Sequence, residues 1–225
     1  MLLPVHGGEV QQVAQRAGLR PQAFLDASAS LVPWSARWPR LGRSAWRDYP
    51  DRTQALLRQH LAALHCVEAS FVLPGNGAAE LFTWAARDAA DRGLSVLPAP
   101  GFADYGRALR CWSATFRIQQ LPLVWHEACQ QEFPEPGAGE VLWICNPHNP
   151  TGHLWSRSSL QPLLERFALV ICDEAFLPLV PNGEQQSLIP LVAEHSNLVV
   201  IRSLTKLYGI AGLRLGYAVA QPQRL

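Results

Sequence analysis

The sequence lacks an excess of charge of either sign, because its 19 lysines and arginines are balanced by 18 aspartates and glutamates. A basic surface of the kind that binds nucleic acid or an anionic membrane is therefore not expected, and a small molecule is the predicted partner. No apolar run approaches the roughly 20 residues that cross a bilayer, and the chain does not open with the basic region and apolar stretch of an export signal. These absences predict a soluble, cytoplasmic protein.

Cysteine is present but lacks the spacing of a metal site or of a disulfide framework. The five cysteines are odd in number and include no C-x-x-C pair and no zinc-type combination with histidine. They are expected to be reduced thiols, and no metal site is predicted. Cys145 and Cys172 lie within apolar runs, so they are expected to be buried as small hydrophobic side chains rather than to act as nucleophiles.

Internal repeats and low-complexity tracts are also missing, and the chain divides into two parts by composition. Residues 1–50 are interrupted by proline and tryptophan and are predicted to form an N-terminal arm, with a short helix at 11–17 and an extended segment at 31–50. Exposed tryptophans are unfavourable in water, so the arm is expected to cover another surface. Residues 51–225 are predicted to form a single domain.

The second part alternates between helical and extended patterns. Several extended segments are short continuous apolar runs such as 169–172, which is typical of strands covered on both faces. The alternation predicts an α/β fold with a mostly parallel, seven-stranded sheet between helices, and a ligand site at the carboxyl ends of the strands. The predicted helices span 51–65, 78–92, 105–112, 158–167 and 188–195. The predicted strands span 70–73, 95–98, 115–121, 141–145, 169–173, 198–202 and 215–219.

Two loops at predicted strand ends suit the binding of an anion and of a polar ring. Gly75-Asn76-Gly77-Ala78-Ala79-Glu80 precedes a helix whose first N–H groups could cradle a phosphate, although such a turn is more often plain chain reversal. Asn146-Pro147-His148-Asn149-Pro150-Thr151-Gly152 follows the strand at 141–145, and Asn149 can present its amide to a ligand oxygen. A stiff loop without function is the alternative, and His148 within it is expected to face solvent.

Two further segments carry an acid and an amine. Asp173 closes the most apolar predicted strand, where a carboxylate is costly unless it pairs with a cation or a strong donor. A protonated pyridine nitrogen is one such partner, and a metal ion or a helix N-terminus are others. Lys206 of Ser203-Leu204-Thr205-Lys206 follows the next strand, and burial beside other cationic groups would free its amine to attack an aldehyde. Most lysines, however, are surface residues. Arg214 and Ser203 offer donors that suit a phosphate dianion.

Taken together and in this order, the four segments resemble those of the pyridoxal-phosphate aminotransferase superfamily of fold type I, across nearly the whole chain. The resemblance implies that Lys206 binds the cofactor covalently as a Schiff base, that Asp173 pairs with the pyridine nitrogen and that Asn149 donates to the phenolic oxygen. It also implies a large domain of this fold for residues 51–225. The remaining implied cofactor ligands are Phe102, stacked on the ring, and Ser203, Arg214 and the backbone of Ala78 and Ala79, on the phosphate.

The resemblance also implies a homodimer. Tyr49 corresponds to a tyrosine that, in this superfamily, reaches the phosphate of the cofactor in the neighbouring subunit. A tryptophan-rich arm in need of a surface to cover agrees with that expectation.

Within the superfamily, several segments are similar to the threonine-phosphate decarboxylases of cobalamin biosynthesis, with the histidinol-phosphate aminotransferases as near relatives. Phe176 stands where the aminotransferases usually carry tyrosine. The implied reaction is decarboxylation of L-threonine O-3-phosphate to (R)-1-amino-2-propanol O-phosphate, and amino-group transfer to a phosphorylated keto substrate is the alternative. The segments are His6-Gly7-Gly8, which with Asn149 would bind substrate, Asp26-Ala27-Ser28-Ala29-Ser30, Tyr49-Pro50-Asp51, the turn at 75–80 and Asp173-Glu174-Ala175-Phe176.

The sequence departs from the superfamily at two places. An asparagine-rich segment of the arm is replaced here by Ser30-Leu31-Val32-Pro33, which puts a substrate contact by this part of the arm in doubt. The superfamily also continues into a small C-terminal domain, which supplies an arginine for the substrate carboxylate, whereas this chain ends at Leu225. The small domain is therefore expected to be missing, and an inactive cofactor-binding fragment is a further alternative.

Overall fold

The computed structural model describes residues 7–34, 37, 42–43, 47–122 and 132–225. Its central feature is a seven-stranded sheet. The strands are β1 (Val72–Asn76), β2 (Ser95–Ala99), β3 (Phe116–Gln120), β4 (Val141–Cys145), β5 (Leu169–Asp173), β6 (Leu198–Ser203) and β7 (Leu215–Ala220). The α-helices are α1 (Val10–Ala17), α2 (Ala55–His65), α3 (Gly77–Ala90), α4 (Ala103–Cys111), α5 (Arg157–Leu160) and α6 (Leu204–Tyr208).

The sheet is mostly parallel, which confirms the predicted fold class. Its strand order is β1-β7-β6-β5-β4-β2-β3. β7 pairs antiparallel with both β1 and β6, whereas the four other pairings among the described strands are parallel. Because β1, β4, β5 and β6 therefore run in the same direction, their carboxyl ends lie along one edge of the sheet, where ligands bind in folds of this kind.

Both faces of the central strands are buried. On β5, Leu169 and Ile171 belong to a hydrophobic cluster with α3 and α4, while Val170 and Cys172 belong to a cluster with α2 on the opposite face. Full burial of a leucine or isoleucine side chain contributes about 1.5–3 kcal/mol, which explains why these strands are continuous apolar runs. The alternation also directs the side chain of Asp173 towards α3 and α4.

One predicted helix, 158–167, is α-helical only in its first turn. α5 ends at Leu160 and is followed by a 3-10 turn, Gln161–Glu165. Pro162 lies in that turn, and its ring and missing N–H prevent the α-helical hydrogen bond to the residue four positions back.

The prediction of an α-helix at 188–195 is wrong. Only a 3-10 turn, Ile189–Leu191, forms there. The N–H of Leu188 donates to the side chain of Glu174 at 2.7 Å and that of Ile189 to Ser187 Oγ at 3.1 Å. Since Pro190 has no N–H, the first available donor is Leu191, which bonds three residues back to Leu188.

The first helix of the domain begins later than predicted, at Ala55 rather than at residue 51. The Asp51 carboxylate accepts the N–H groups of Thr53 at 3.0 Å and of Ala55 at 2.9 Å. The Asp51 side chain therefore holds residues 51–54 in a turn that leads into α2. The domain boundary at residue 50 stays a prediction.

The arm contains the predicted short helix. α1 ends at Ala17 and is followed by Gly18, whose φ of 66° is a left-handed conformation that glycine adopts without strain. Residues 24–34 contain neither helix nor strand, and Trp34 at their end is exposed. Trp38 and Trp46 lie outside the described residues.

The burial of the cysteines and the length of the helices can be compared with the sequence predictions. Cys145 and Cys172 are buried as free thiols, as predicted, while Cys129 lies outside the described residues. Within the described ranges, no helix has the length and apolar character needed to cross a membrane.

Candidate active site

The carboxyl ends of β5 and β6 bring the predicted acid and amine together. Asp173 is the last residue of β5 and is paired with Ile201 of β6. Lys206 lies in α6, which begins directly after β6. The two side chains are close enough that each shifts the pKa of the other.

Asp173 is a buried carboxylate with two protein donors. Its Oδ2 accepts a hydrogen bond from the hydroxyl of Tyr105 at 2.6 Å, and its Oδ1 accepts one from the N–H of Ala175 at 2.9 Å. Burial raises the pKa of Asp173 to about 6, while these donors and the Lys206 amine act in the opposite direction. A carboxylate so placed is stabilised by a further cationic donor, such as a protonated ring nitrogen.

Lys206 is the only lysine of the chain, since 18 of its 19 basic residues are arginines. Its Nζ lies 5.3 Å from the centre of the Phe176 ring, and its backbone carbonyl accepts the N–H of Val32 at 3.5 Å. Burial lowers the pKa of Lys206, Asp173 opposes this shift and Arg214 adds to it. A lowered pKa increases the fraction of neutral amine, which is the form that attacks a carbonyl carbon.

Arg214 and the first turn of α3 form a candidate phosphate site. Gly77 opens α3 with a φ of 72°, and a Cβ added there would lie 2.7 Å from Arg214 Nη2. A Cβ on Gly216 would lie 2.7 Å from the backbone nitrogen of Ala78. The two glycines therefore let the arginine loop lie directly against a helix N-terminus that includes Ala79, and the combination of N–H groups with a guanidinium suits a phosphate dianion.

Ser203 adds a hydroxyl at the start of α6. Its Oγ lies 2.7 Å from Thr205 Oγ1 and accepts the N–H of Thr205 at 3.3 Å. The bond between the two hydroxyls uses one of their two protons, so the other proton remains for a ligand oxygen. This arrangement is compatible with the predicted role of Ser203.

Asn149 borders a cavity of about 300 Å³. Ser30 of the arm and Phe176, which contacts Lys206, also line this cavity. The arm therefore reaches the site at Ser30, the segment whose contact with a ligand the sequence put in doubt.

His148 is buried, and the prediction that it faces solvent is wrong. Its side chain is 4% exposed, and its Nδ1 lies 2.7 Å from Thr151 Oγ1. The side-chain amide of Asn146 binds both the N–H and the carbonyl of Trp155, at 2.8 and 3.1 Å, so the loop is closed and the Trp155 ring lies 6.0 Å from that of His148. Burial lowers the pKa of His148 to about 4, with a contribution from His153.

The predicted substrate segment near the N-terminus is only partly described. The N–H of Gly8 donates to Ser28 Oγ at 2.9 Å, and Ser28 in turn donates to Asp26. A Cβ on Gly7 would lie 1.9 Å from the carbonyl oxygen of Ser28, so Gly7 permits a close approach of the two segments. His6 lies outside the described residues, and the substrate-binding roles stay predictions.

Phe102 and Tyr49, the two remaining predicted cofactor ligands, differ in burial: Phe102 packs beside the site and Tyr49 is exposed. Phe102 directly precedes α4, and its ring lies 5.5 Å from that of Tyr105, the donor to Asp173. Tyr49 is fully exposed, at 100%. Its contact with a neighbouring subunit stays a prediction.

Two residues beside the site, Tyr105 and Arg202, have no role in the sequence prediction. Tyr105 binds Asp173, and Arg202 forms a buried ion pair with Glu174 at 2.7 Å. The sequence feature that could have indicated such partners is the acidic pair Asp173-Glu174 at the end of an apolar strand. Adjacent side chains of a strand face opposite sides, so each carboxylate needs its own buried donor.

The donor set as a whole fits pyridoxal phosphate. A helix N-terminus, a guanidinium and a hydroxyl suit the phosphate, one amine of lowered pKa suits the aldehyde, and a buried carboxylate suits the protonated ring nitrogen.

Comparison with known proteins supports the same assignment. The family model for aminotransferase class I and II matches residues 23–225. Threonine-phosphate decarboxylase from Salmonella typhimurium is 37% identical over 234 residues, covering 95% of this chain and 61% of that protein. Histidinol-phosphate aminotransferase from Leuconostoc mesenteroides is 31% identical over 226 residues, covering 94% of this chain and 62% of that protein. The chain thus spans about three fifths of the length of these relatives.

Solved structures show the same fold. The crystal structure of L-threonine-O-3-phosphate decarboxylase from Porphyromonas gingivalis matches with a TM-score of 0.65 and 28% identity, covering 79% of this chain and 53% of that one. Histidinol-phosphate aminotransferase from Sinorhizobium meliloti, solved in complex with pyridoxal-5'-phosphate, matches with a TM-score of 0.65 and 22% identity, covering 80% and 50%. The chain belongs to the aminotransferase class I and II family, whose cofactor is pyridoxal phosphate.

Proposed function

We propose that this chain binds pyridoxal phosphate and decarboxylates L-threonine O-3-phosphate to (R)-1-amino-2-propanol O-phosphate, a reaction of cobalamin biosynthesis. The observation that carries the proposal is the meeting of the buried Asp173 carboxylate and the Lys206 amine at the carboxyl edge of the sheet. The identity of 37% to a threonine-phosphate decarboxylase supports the choice of reaction.

The described residues divide the work of holding the cofactor. Asp173 keeps the ring nitrogen protonated, Arg214 and the first turn of α3 bind the phosphate, and Asn149 donates to the phenolic oxygen. Bound pyridoxal phosphate supplies an electron sink for the carbon that loses its carboxylate. Lys206, in its protonated ammonium form, would be the group that returns a proton to that carbon.

Amino-group transfer is the second candidate, supported by relatives named histidinol-phosphate aminotransferase at 31% identity. Phe176 favours decarboxylation, because an aminotransferase of this kind usually carries a tyrosine there. The aromatic ring without a hydroxyl lies against Lys206 and offers no hydrogen bond to the cofactor's phenolic oxygen.

The experiment incubates the 225-residue chain, loaded with pyridoxal phosphate, with L-threonine O-3-phosphate. We expect release of CO2 and the phosphorylated amino alcohol, and neither product from Lys206→Ala. A parallel incubation supplies histidinol phosphate and 2-oxoglutarate. Glutamate formation there, without CO2 release from the first substrate, would favour the aminotransferase. Cofactor binding without either product would favour the inactive fragment.

We also propose a homodimer. Tyr49, Leu25 and Trp34 of the arm are exposed large side chains of one protomer, and a partner surface would remove them from water. Sedimentation equilibrium should give about twice the 24.9 kDa of one chain. A single-chain mass at high concentration, with cofactor bound, would contradict the dimer.

A further inference from the structure

The hydroxyl of Tyr105 meets the carboxylate of Asp173 in the interior of the protein. Tyr105 lies in α4 and is buried, and its hydroxyl donates to Asp173 Oδ2 at 2.6 Å. The other oxygen, Oδ1, is bonded to the backbone N–H of Ala175 at 2.9 Å. Each carboxylate oxygen therefore has one fixed donor, and the carboxylate is held from two sides.

The aromatic ring of Tyr105 is itself fixed. The rings of Phe82, Trp143 and Phe102 lie around it, with centroids at 5.1, 5.3 and 5.5 Å. Three aromatic neighbours in edge or tilted contact leave the ring little freedom to turn. The hydroxyl is therefore held at Asp173 by the packing of α3, α4 and β4.

The direction of the hydrogen bond is also fixed. Burial and the nearby Asp173 raise the pKa of Tyr105 far above its usual range, so the phenol stays protonated and donates. A donor to an ionised carboxylate stabilises its charged form, and the bond from Tyr105 counteracts the effect of burial on the pKa of Asp173.

We propose that Tyr105 is a positioning residue of the cofactor site: its hydroxyl holds the Asp173 carboxylate ionised and in one orientation, so that Asp173 can pair with a protonated ring nitrogen. The inference rests on the proposed binding of pyridoxal phosphate and assigns a role to a residue that the sequence left unassigned.

Tyr105→Phe tests the inference, because it keeps the ring and removes only the hydroxyl. The matched control is Tyr217→Phe. Tyr217 is also buried and loses a comparable bond, 2.7 Å from His65 Nε2, but it packs in the cluster on the opposite face of the sheet. Thermal unfolding of both cofactor-free variants measures the structural cost of losing a buried hydroxyl.

The first readout is the dissociation constant of pyridoxal phosphate, titrated by absorbance. We expect Tyr105→Phe to raise it at least about tenfold, as for a bond to a charged group, and Tyr217→Phe to leave it close to the wild-type value. The second readout is the titration of the Asp173 carboxyl carbon by NMR in the cofactor-free protein. Its midpoint should move to higher pH in Tyr105→Phe and stay unchanged in Tyr217→Phe.

The outcomes separate the inference from the function. If the wild type binds the cofactor and Tyr105→Phe binds it equally well with an unchanged Asp173 midpoint, the inference alone is overturned. Equal weakening by both variants also overturns it, since the effect would then be structural. A wild-type chain that binds no pyridoxal phosphate overturns the inference and the proposed function together.

Discussion

Burial of the Asp173 carboxylate lowers the stability of the fold, and the same burial makes it a strong partner for a cationic ligand. It ends a strand whose four preceding residues are all buried, so its carboxylate leaves water when the sheet forms. Two hydrogen bonds and the Lys206 amine offset part of the cost, yet its pKa is still raised to about 6. A cationic ligand nitrogen would stabilise the ionised form further.

Asp173→Asn is expected to change how stability depends on pH. Between the ordinary pKa of 3.8 and the folded value of about 6, the folded protein keeps a proton that the unfolded chain has released. The wild type therefore loses up to about 3 kcal/mol of stability as the pH rises through this window. Asparagine does not titrate. As the pH falls from about 7 to about 4, the wild type should therefore gain stability relative to the variant.

Urea denaturation of the two cofactor-free proteins at both pH values measures this difference. The partly buried His65 and the buried His148, whose pKa values are lowered to about 4, destabilise the fold on acidification, but their effect is common to both proteins and cancels. A difference between wild type and variant that does not vary with pH would contradict a buried, ionisable Asp173.

At the scale of elements, the site depends on how β5 and β6 are held together. Glu174 follows Asp173 and accepts from Arg202 Nε at 2.9 Å, while Arg202 also binds Glu184 at 2.8 and 2.9 Å. Arg202 directly precedes Ser203, so its buried pair with Glu174 joins the strand end that carries the acid to the one that leads to the amine. Removing one partner of such a pair typically costs about 3–5 kcal/mol.

Gly216→Ala tests the close approach of β7 to α3. The new Cβ would lie 2.7 Å from the nitrogen of Ala78 and 2.9 Å from the carbonyl carbon of Gly77, and these backbone atoms cannot move aside alone. We expect a loss of about 1–3 kcal/mol in the free energy of unfolding and weaker binding of pyridoxal phosphate.

The matched control is Gly212→Ala, in the same arginine loop. A Cβ at Gly212 meets no heavy atom within 4 Å, so stability and cofactor affinity should stay close to those of the wild type. Equal behaviour of the two alanine variants, in unfolding and in titration, would contradict the proposed phosphate cradle.

The sequence predicts the strands better than the short helices, for physical reasons. The bounds of β4 and β5 match the prediction because two-sided burial leaves a plain apolar run. Residues 188–195 also look apolar, but their first N–H groups bind Glu174 and Ser187. Glu174 lies 14 residues before Leu188 in the chain, and neither of the two hydrogen bonds can be read from the apolar pattern of the segment.

At the scale of the whole molecule, the predictable part of the site is the part that local motifs carry. Asp173 and Lys206 follow apolar strands and could be found by their position at the strand ends. Tyr105 could not, because its role depends on α4 packing over the end of β5, 68 residues further along the chain. The burial of His148 could not be predicted either, because it depends on the hydrogen bonds between Asn146 and Trp155 that close the loop.

The most direct test of the account is reductive trapping of the cofactor on the intact chain. Lys206 is the only lysine, so borohydride reduction after incubation with pyridoxal phosphate has one side-chain amine to label. Mass spectrometry of a tryptic digest should find one pyridoxyl phosphate group on the peptide 203–214, bounded by Arg202 and Arg214. The label should be absent from Lys206→Ala and reduced in Asp173→Asn. A wild-type chain left unlabelled, or labelled only at its N-terminal amine, would contradict the central claim that Lys206 and Asp173 together hold the cofactor.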